Sequence, residues 1–197
     1  MKTLIVYAHP YDGGFCHAML KSTIASIEKA GGEVDLIDLN KDKFNPVMDE
    51  KDLVGFIKHE MVDPQSIDYV NRLKAADQLV LIFPIWWELM PAIMKGFIDK
   101  VFFPGSAYEY KKSGRGMYSL FDNLKATTVI STMNTPKLIY KCIYGNAVQK
   151  ALMKGTFKKL GFKKVKWFNV SMIKWSTEKK RNKWLAQLDK RFSKKIG

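Results

Sequence analysis

The sequence predicts a doubly wound α/β fold, with five parallel strands in the order 2-1-3-4-5 and helices on both faces. Three observations carry this. Short apolar, β-branched runs alternate with amphipathic segments along the chain, the pattern of right-handed βαβ units. Five of these runs read as strands of one parallel sheet. No internal repeat, low-complexity stretch or linker interrupts them, so residues 1–197 are expected to form one domain.

Thr3 to Ala8 is mostly apolar and reads as a buried first strand. Leu20, Ile24 and Ile27 recur at helical spacing, and Gly31-Gly32 closes that helix. Val34 to Leu39 alternates apolar and acidic residues, as a half-exposed second strand does. Phe44-Asn45-Pro46 is a turn. Asp49 is placed to cap a short helix carrying Leu53, Phe56 and Ile57. Asp63-Pro64 opens another helix, with proline in its first turn and Ile67, Val70 and Leu73 on one face. Leu79 to Phe83 is the cleanest buried strand. A helix then starts near Pro91 and carries Ile93, Met94, Phe97, Ile98 and Val101. Pro104 to Met117 has few helix or strand signals and reads as a lid, a binding loop or a surface excursion. Thr127 to Ser131 is the fourth strand. A helix is expected from about Gly145 to Leu160, ended by Gly161, and Val165 to Val170 is the fifth strand. Ser176 or Thr177 caps a terminal helix bearing Trp184, Leu188 and Phe192.

The composition narrows the function classes. A hydrophobic fraction of 47% excludes intrinsic disorder. No apolar run approaches the roughly 20 residues that span a bilayer. The first apolar run, Leu4 to Ala8, is too short for a secretion signal, so a cytoplasmic location is expected. Cys16 and Cys142 make neither a disulfide framework nor a zinc spacing. The net charge is +14, with the excess concentrated from Lys158 to Lys194-Lys195. A solvated face is the plain reading of that excess. Nucleic acid and an anionic membrane surface are the alternatives, the first disfavoured by the paired tryptophans described next.

In this fold class ligands bind at the carboxyl ends of the strands, beside the switch in strand order. The loop after strand one, His9 to His17, contains Gly13-Gly14 and leads into a helix start, which suits a phosphate. His9 and His17 flank it and are candidates for ligand contact, whereas His59 belongs to an exposed helix. Cys16 is read as a small buried residue, with a lowered pKa at the helix start as the other possibility. The loop after strand three, Pro84-Ile85-Trp86-Trp87, sets two rigid flat indoles at the switch point, as a planar heteroaromatic cofactor requires. The loop after strand four, Ser131-Thr132-Met133-Asn134, offers donors to a heterocycle's edge. No triad, carboxylate pair or metal cluster stands out, which favours a cofactor enzyme.

These loops resemble those of the NAD(P)H:quinone oxidoreductase family, flavoproteins of flavodoxin-like fold. The likeness rests on Ala8-His9 and Phe15-Cys16-His17-Ala18-Met19, and on Asp38-Leu39 before Phe44-Asn45-Pro46. Phe83 to Trp87, Pro91-Ala92 and Met94-Lys95-Gly96-Phe97 form its most specific stretch, and Ala107-Tyr108-Glu109-Tyr110 follows. The resemblance implies a flavin, FAD or FMN with FAD preferred, and NAD(P)H as co-substrate. His9, Phe15, Cys16, His17 and Ala18 would meet the phosphate-ribityl part. Pro84, Ile85, Trp86 and Trp87 would line the ring, and Ser131, Thr132, Met133 and Asn134 its far edge. Tyr108 and Tyr110 would close over nicotinamide or quinone. It further implies two-electron, ping-pong hydride transfer through flavin N5 to a quinone-like acceptor. A homodimer is implied too, with Tyr108, Trp167 and Trp175 as exposed aromatics at its interface. Met133-Asn134 stands where the family has two glycines, a form like that of a bacterial branch. Two departures follow: Tyr144 stands where the family places a histidine, and Tyr140, the candidate for its ring-proximal tyrosine, differs in spacing by a residue; these two are the candidate relay residues. The rival class is a flavin-binding regulatory subunit of a membrane ion-efflux system.

Overall fold

A computed structural model describes residues 1–193; Lys194 and Lys195 of the basic tail lie outside them. Five parallel strands form the sheet: β1 (Lys2–Tyr7), β2 (Glu33–Asp38), β3 (Gln78–Pro84), β6 (Ala126–Thr132) and β7 (Val165–Val170). Their order, β2-β1-β3-β6-β7, is the expected one. A short antiparallel hairpin, β4 (Tyr108–Tyr110) and β5 (Met117–Ser119), is inserted before β6 and stands apart from the sheet. The register places Val6 opposite Ile37 and Leu81, and Leu81 opposite Val129.

Side chains alternate across the strands and build two cores. Leu4, Val6, Leu81, Phe83 and Val129 face one way, against α3 (Pro64–Lys74), α4 (Ala92–Val101) and a wide helix, Gln149–Lys158. Ile5, Tyr7, Val80, Ile82 and Val170 face the other way, against α1 (Phe15–Lys29) and α6 (Glu178–Phe192). All seven residues of β3 are buried, and each large apolar side chain there contributes about 1.5–3 kcal/mol. Gly31 closes α1 as its composition suggests, at φ 76°, with the Gly32 N–H donating to Ile27 O at 2.9 Å.

The structure differs from the sequence reading in four places. The helix α2 (Glu50–Lys58) is capped by Asp49 in a reciprocal box with Asp52, yet it buries Asp52 and Gly55 while Leu53 and Ile57 face outward. Its inner side is set by close approach, since a Cβ on Gly55 would lie 2.3 Å from Glu60 O. The stretch after Pro104 holds the β4–β5 hairpin, whose three-residue strands are too short to show a period of two. The expected helix from Gly145 to Leu160 is shorter and wider, with bonds such as Lys159 N–H to Lys154 O five residues back. It is preceded by an unforeseen turn of helix, α5 (Lys137–Cys142).

Candidate active site

The carboxyl ends of β1, β3 and β6 open into a cleft of about 190 Å³. Its walls are His9, Phe15 and Cys16 from the first loop, Pro84, Ile85 and Trp86 from the second, and Thr132, Met133 and Asn134 from the third, with Ile173 added.

The first loop is shaped by close packing. The Tyr11 ring lies on Gly13, where a Cβ would meet its hydroxyl at 2.3 Å, and the His9 ring lies on Gly14, 3.3 Å from where a Cβ would be. The Tyr11 N–H donates to His9 Nδ1 at 3.1 Å, which fixes the ring. Gly14 is the N-cap of α1 and has no side chain to offer; no acidic residue occupies the first turn. The helix therefore presents its first N–H groups and its positive dipole end to the cleft, as an anionic group requires.

The second loop is strained. Trp86 and Leu89 exchange backbone hydrogen bonds of 2.9 and 3.1 Å, which leaves Trp87 and Glu88 as a two-residue turn. Both adopt left-handed backbone, φ 48° and 65°, without being glycine. Surrounding contacts hold them there. Thr135 Oγ1 donates to Glu88 Oε1 at 2.6 Å, Tyr140 OH donates to Glu88 O at 3.0 Å, and the Val148 N–H donates to Tyr140 OH at 2.9 Å. The turn tips the Trp87 indole fully into solvent, 99% exposed, while Trp86 turns to the cleft, 6.1 Å from the His9 ring. Only one of the two expected ring-lining tryptophans thus faces the cleft within one chain.

The third loop is tied to the neighbouring strand. The Met133 N–H donates to Val170 O at 2.9 Å, and the Lys174 N–H donates to Asn134 Oδ1 at 3.0 Å. Ser131 sits behind, buried: Trp167 Nε1 donates to its Oγ at 2.8 Å, and that hydroxyl donates to Asn169 Oδ1 at 3.1 Å.

The other sequence candidates lie elsewhere. His17 packs 6.0 Å from the Tyr7 ring, with Nδ1 3.4 Å from Asp12 Oδ1, and Ala18 belongs to the same first turns of α1. Tyr140 is buried as a strut beneath the strained turn, and Tyr144 is exposed at the surface. Tyr108 and Tyr110 pack edge to face at 5.7 Å on the hairpin; Tyr108 lines a separate cleft with Phe56 and Phe102. Tyr108 is buried and Trp167 partly buried, so of the three aromatics expected at the surface only Trp175 is exposed. Glu88, Ile173 and Asn169 escaped the sequence reading. Glu88 had a usable signal, an acid wedged between apolar residues in the most specific loop.

Burial keeps the thiol and phenols of this region protonated near neutral pH. Burial pushes the Cys16 thiol up to about 12, so the helix start does not activate it. Burial raises the Tyr7 phenol, reinforced by Cys16, Asp38 and Asp12. Burial also raises the Tyr140 phenol, against the opposing Val148 N–H bond, with Glu88 adding to the rise. Among the described residues no group of three His, Cys, Asp or Glu side chains gathers to hold a metal ion. The arrangement offers an uncapped helix start, suited to an anion, beside a cleft walled by Trp86 and the third loop.

Comparison with known proteins agrees with the architecture. A family described as having a flavodoxin-like fold matches residues 1–196. NAD(P)H dehydrogenase (quinone) 1 of Cavia porcellus is 29% identical over 182 residues, 82% of this chain and 65% of that protein. An FMN-dependent NADH:quinone oxidoreductase of Mycoplasmoides gallisepticum is 30% identical, over 81% of this chain and 80% of that one. The solved structure of Smu.1420 from Streptococcus mutans UA159 superposes with a TM-score of 0.82 at 31% identity, covering 98% of this chain and 99% of the other. The chain spans 44–65% of the length of the curated relatives that head the comparison.

Proposed function

The chain belongs to the family of flavodoxin-like fold that holds the NAD(P)H:quinone oxidoreductases, and from that premise we propose that it is a flavin-dependent NAD(P)H oxidoreductase acting on a quinone-like acceptor. One observation carries this reading: nine residues from three strand ends and the start of α1 converge on the cleft at the switch point. FMN is the proposed flavin, supported by the name of the Mycoplasmoides relative and by the uncapped start of α1, which fits a terminal phosphate.

The residues fit that group. The Tyr11 and His9 rings pack on Gly13 and Gly14, and the N–H groups of the first turn of α1 beside them hold the phosphate. Trp86 and Ile85 bound the ring on one side, and Thr132, Met133 and Asn134 supply its far edge. When bound, the flavin relays two electrons from NAD(P)H to the acceptor, and one shared face makes the exchange ping-pong. The protein contributes orientation and electrostatics. A homodimer at a cytoplasmic location completes the proposal. Its support is the position of Tyr108 and Tyr110, away from the cleft of their own chain, and the exposed apolar side of α2, where Ile57 is 81% exposed. No observation favours a regulatory role beside an ion-efflux system.

The test is an absorbance spectrum of the purified protein followed by NADPH addition without oxygen. Flavin bands that bleach within seconds, and return on adding a quinone, are the expected result. A colourless protein that takes up neither FMN nor FAD overturns the proposal.

A further inference from the structure

A second cleft of about 320 Å³ adjoins the first, and Met133 lines both. It is cut between α5, the start of the wide helix and β7. Lys137 and Lys141 stand one helical turn apart on α5 and both line it. The carboxamides of Asn146 and Asn169 line it too, and Trp167 gives it an aromatic wall, 6.0 Å from the Tyr140 ring.

Its chemistry is one-sided. No carboxylate lines it, and neither lysine forms an ion pair among the described residues. The Asn169 amide is oriented by Ser131 on its oxygen, while its nitrogen meets only the Met133 thioether at 3.2 Å. A thioether is a weak acceptor, so that amide keeps donor capacity. Two unpaired cations, an amide donor and an indole in one cavity suit a single ligand class.

We propose that the second cleft is a subsite for an aromatic anion, with its ring against Trp167 and its carboxylate or sulfonate on Lys137 and Lys141. The shared Met133 wall makes the subsite an extension of the cleft in which the acceptor is reduced. On the reductase reading above, on which this step rests, the favoured acceptors are therefore quinones bearing an anionic substituent.

Two measurements on the flavin-loaded protein test it. Calorimetric titration with 2-naphthalenesulfonate reads the subsite without turnover. The wild type is expected to bind it, and the Lys137→Met/Lys141→Met double variant to bind at least about tenfold more weakly, because charge-assisted bonds are lost. Steady-state reduction of 1,4-naphthoquinone-2-sulfonate is then compared with that of uncharged 1,4-naphthoquinone. The double variant is expected to raise KM for the sulfonated quinone about tenfold and leave the uncharged one unchanged, which also shows that the variant is folded. Absent binding by the wild type, or equal binding by the variant, overturns the subsite even if both quinones are reduced. Lysine-dependent binding with no reduction of either quinone upholds the subsite and overturns the reductase reading.

Discussion

At Gly96 the helix α4 presses directly on the Phe44-Asn45-Pro46 turn. A Cβ there would stand 2.3 Å from Pro46 O and 2.4 Å from Pro46 Cα, and backbone does not yield as a flexible side chain does. Gly96→Ala is therefore expected to destabilise the protein by about 1–3 kcal/mol despite the better helix propensity of alanine, and urea unfolding measures it. Cys16 gives a second residue-scale test. Its thiol is buried and held near 12, whereas Cys142 is exposed. An aromatic disulfide reagent at pH 8 is expected to label one thiol quickly in the native protein and both in guanidinium. Two fast thiols in the native state would contradict the burial of Cys16. The same shift has a sign in pH. The folded protein keeps the Cys16 proton that the unfolded chain loses above its ordinary 9.0, so stability falls as pH rises from about 9 to about 12. Tyr7, Tyr69, Tyr108 and Tyr140, all raised by burial above 10.0, steepen that fall. At this scale most of the proposed cleft was legible, because strand ends and prolines announce the loops that meet there. What escaped was direction. Residue type put Trp86 and Trp87 together, but the left-handed turn at Trp87-Glu88 sends one indole inward and the other out.

Among the elements, α2, α3 and α4 are joined by one buried charge. Lys100 of α4 places Nζ 3.4 Å from Asp52, in the capping box of α2, and 3.3 Å from Asp63, the N-cap of α3. Each carboxylate also serves its own helix start, so a single cation fixes how two helices meet a third. Lys100→Met leaves both acids without it, and a loss of about 3 kcal/mol is expected, the low end for breaking a buried pair because Asp63 is partly open to solvent. Adding Asp52→Asn is expected to restore part of that loss, and a double-mutant cycle in urea checks the coupling. Burial works to raise the Asp63 carboxyl, but its Ser66 hydrogen bond and the Lys100 charge hold it below its ordinary 3.8. Its contribution is complete above that value and is lost as pH falls below it, so the Lys100→Met variant should show a shallower acid limb. The central parallel strands were legible because buried apolar, β-branched runs mark them, and β2 because apolar and acidic residues alternate along it. The β4–β5 hairpin and α5 were not. Strands of three residues and a six-residue helix carry no period, and packing alone fixes them. Spacing alone also misjudged the face of α2, since Gly55 and the capping box, not Leu53 and Ile57, decide which side turns inward.

For the whole molecule the exposed side of α2 makes the strongest demand. Leu53, Val54 and Ile57 are exposed there, and the end of α2 adjoins the hairpin, with the His59 ring 6.4 Å from that of Tyr110 and Nδ1 3.4 Å from Glu109. Tyr110 and Tyr118 extend the same exposed apolar character onto the hairpin. Exposed apolar side chains on two neighbouring elements are costly to leave in water, and on a chain of net charge +14 the repulsion between copies must be outweighed by their burial. In the proposed homodimer the hairpin of a second copy, with Tyr110 exposed on it, closes the cleft that the chain's own hairpin does not line. Ile57→Glu sets a carboxylate in that surface twice per dimer, at a position where the isolated chain leaves the side chain in solvent. The variant should therefore fold as the wild type does but run as a monomer in light scattering, with flavin retained and quinone turnover reduced at least about tenfold as the hairpin is withdrawn. A wild type that is itself monomeric and fully active would remove the dimer from the mechanism. So would an Ile57→Glu monomer that turns over at the wild-type rate, and the tyrosines of the hairpin would then have no part in holding the acceptor.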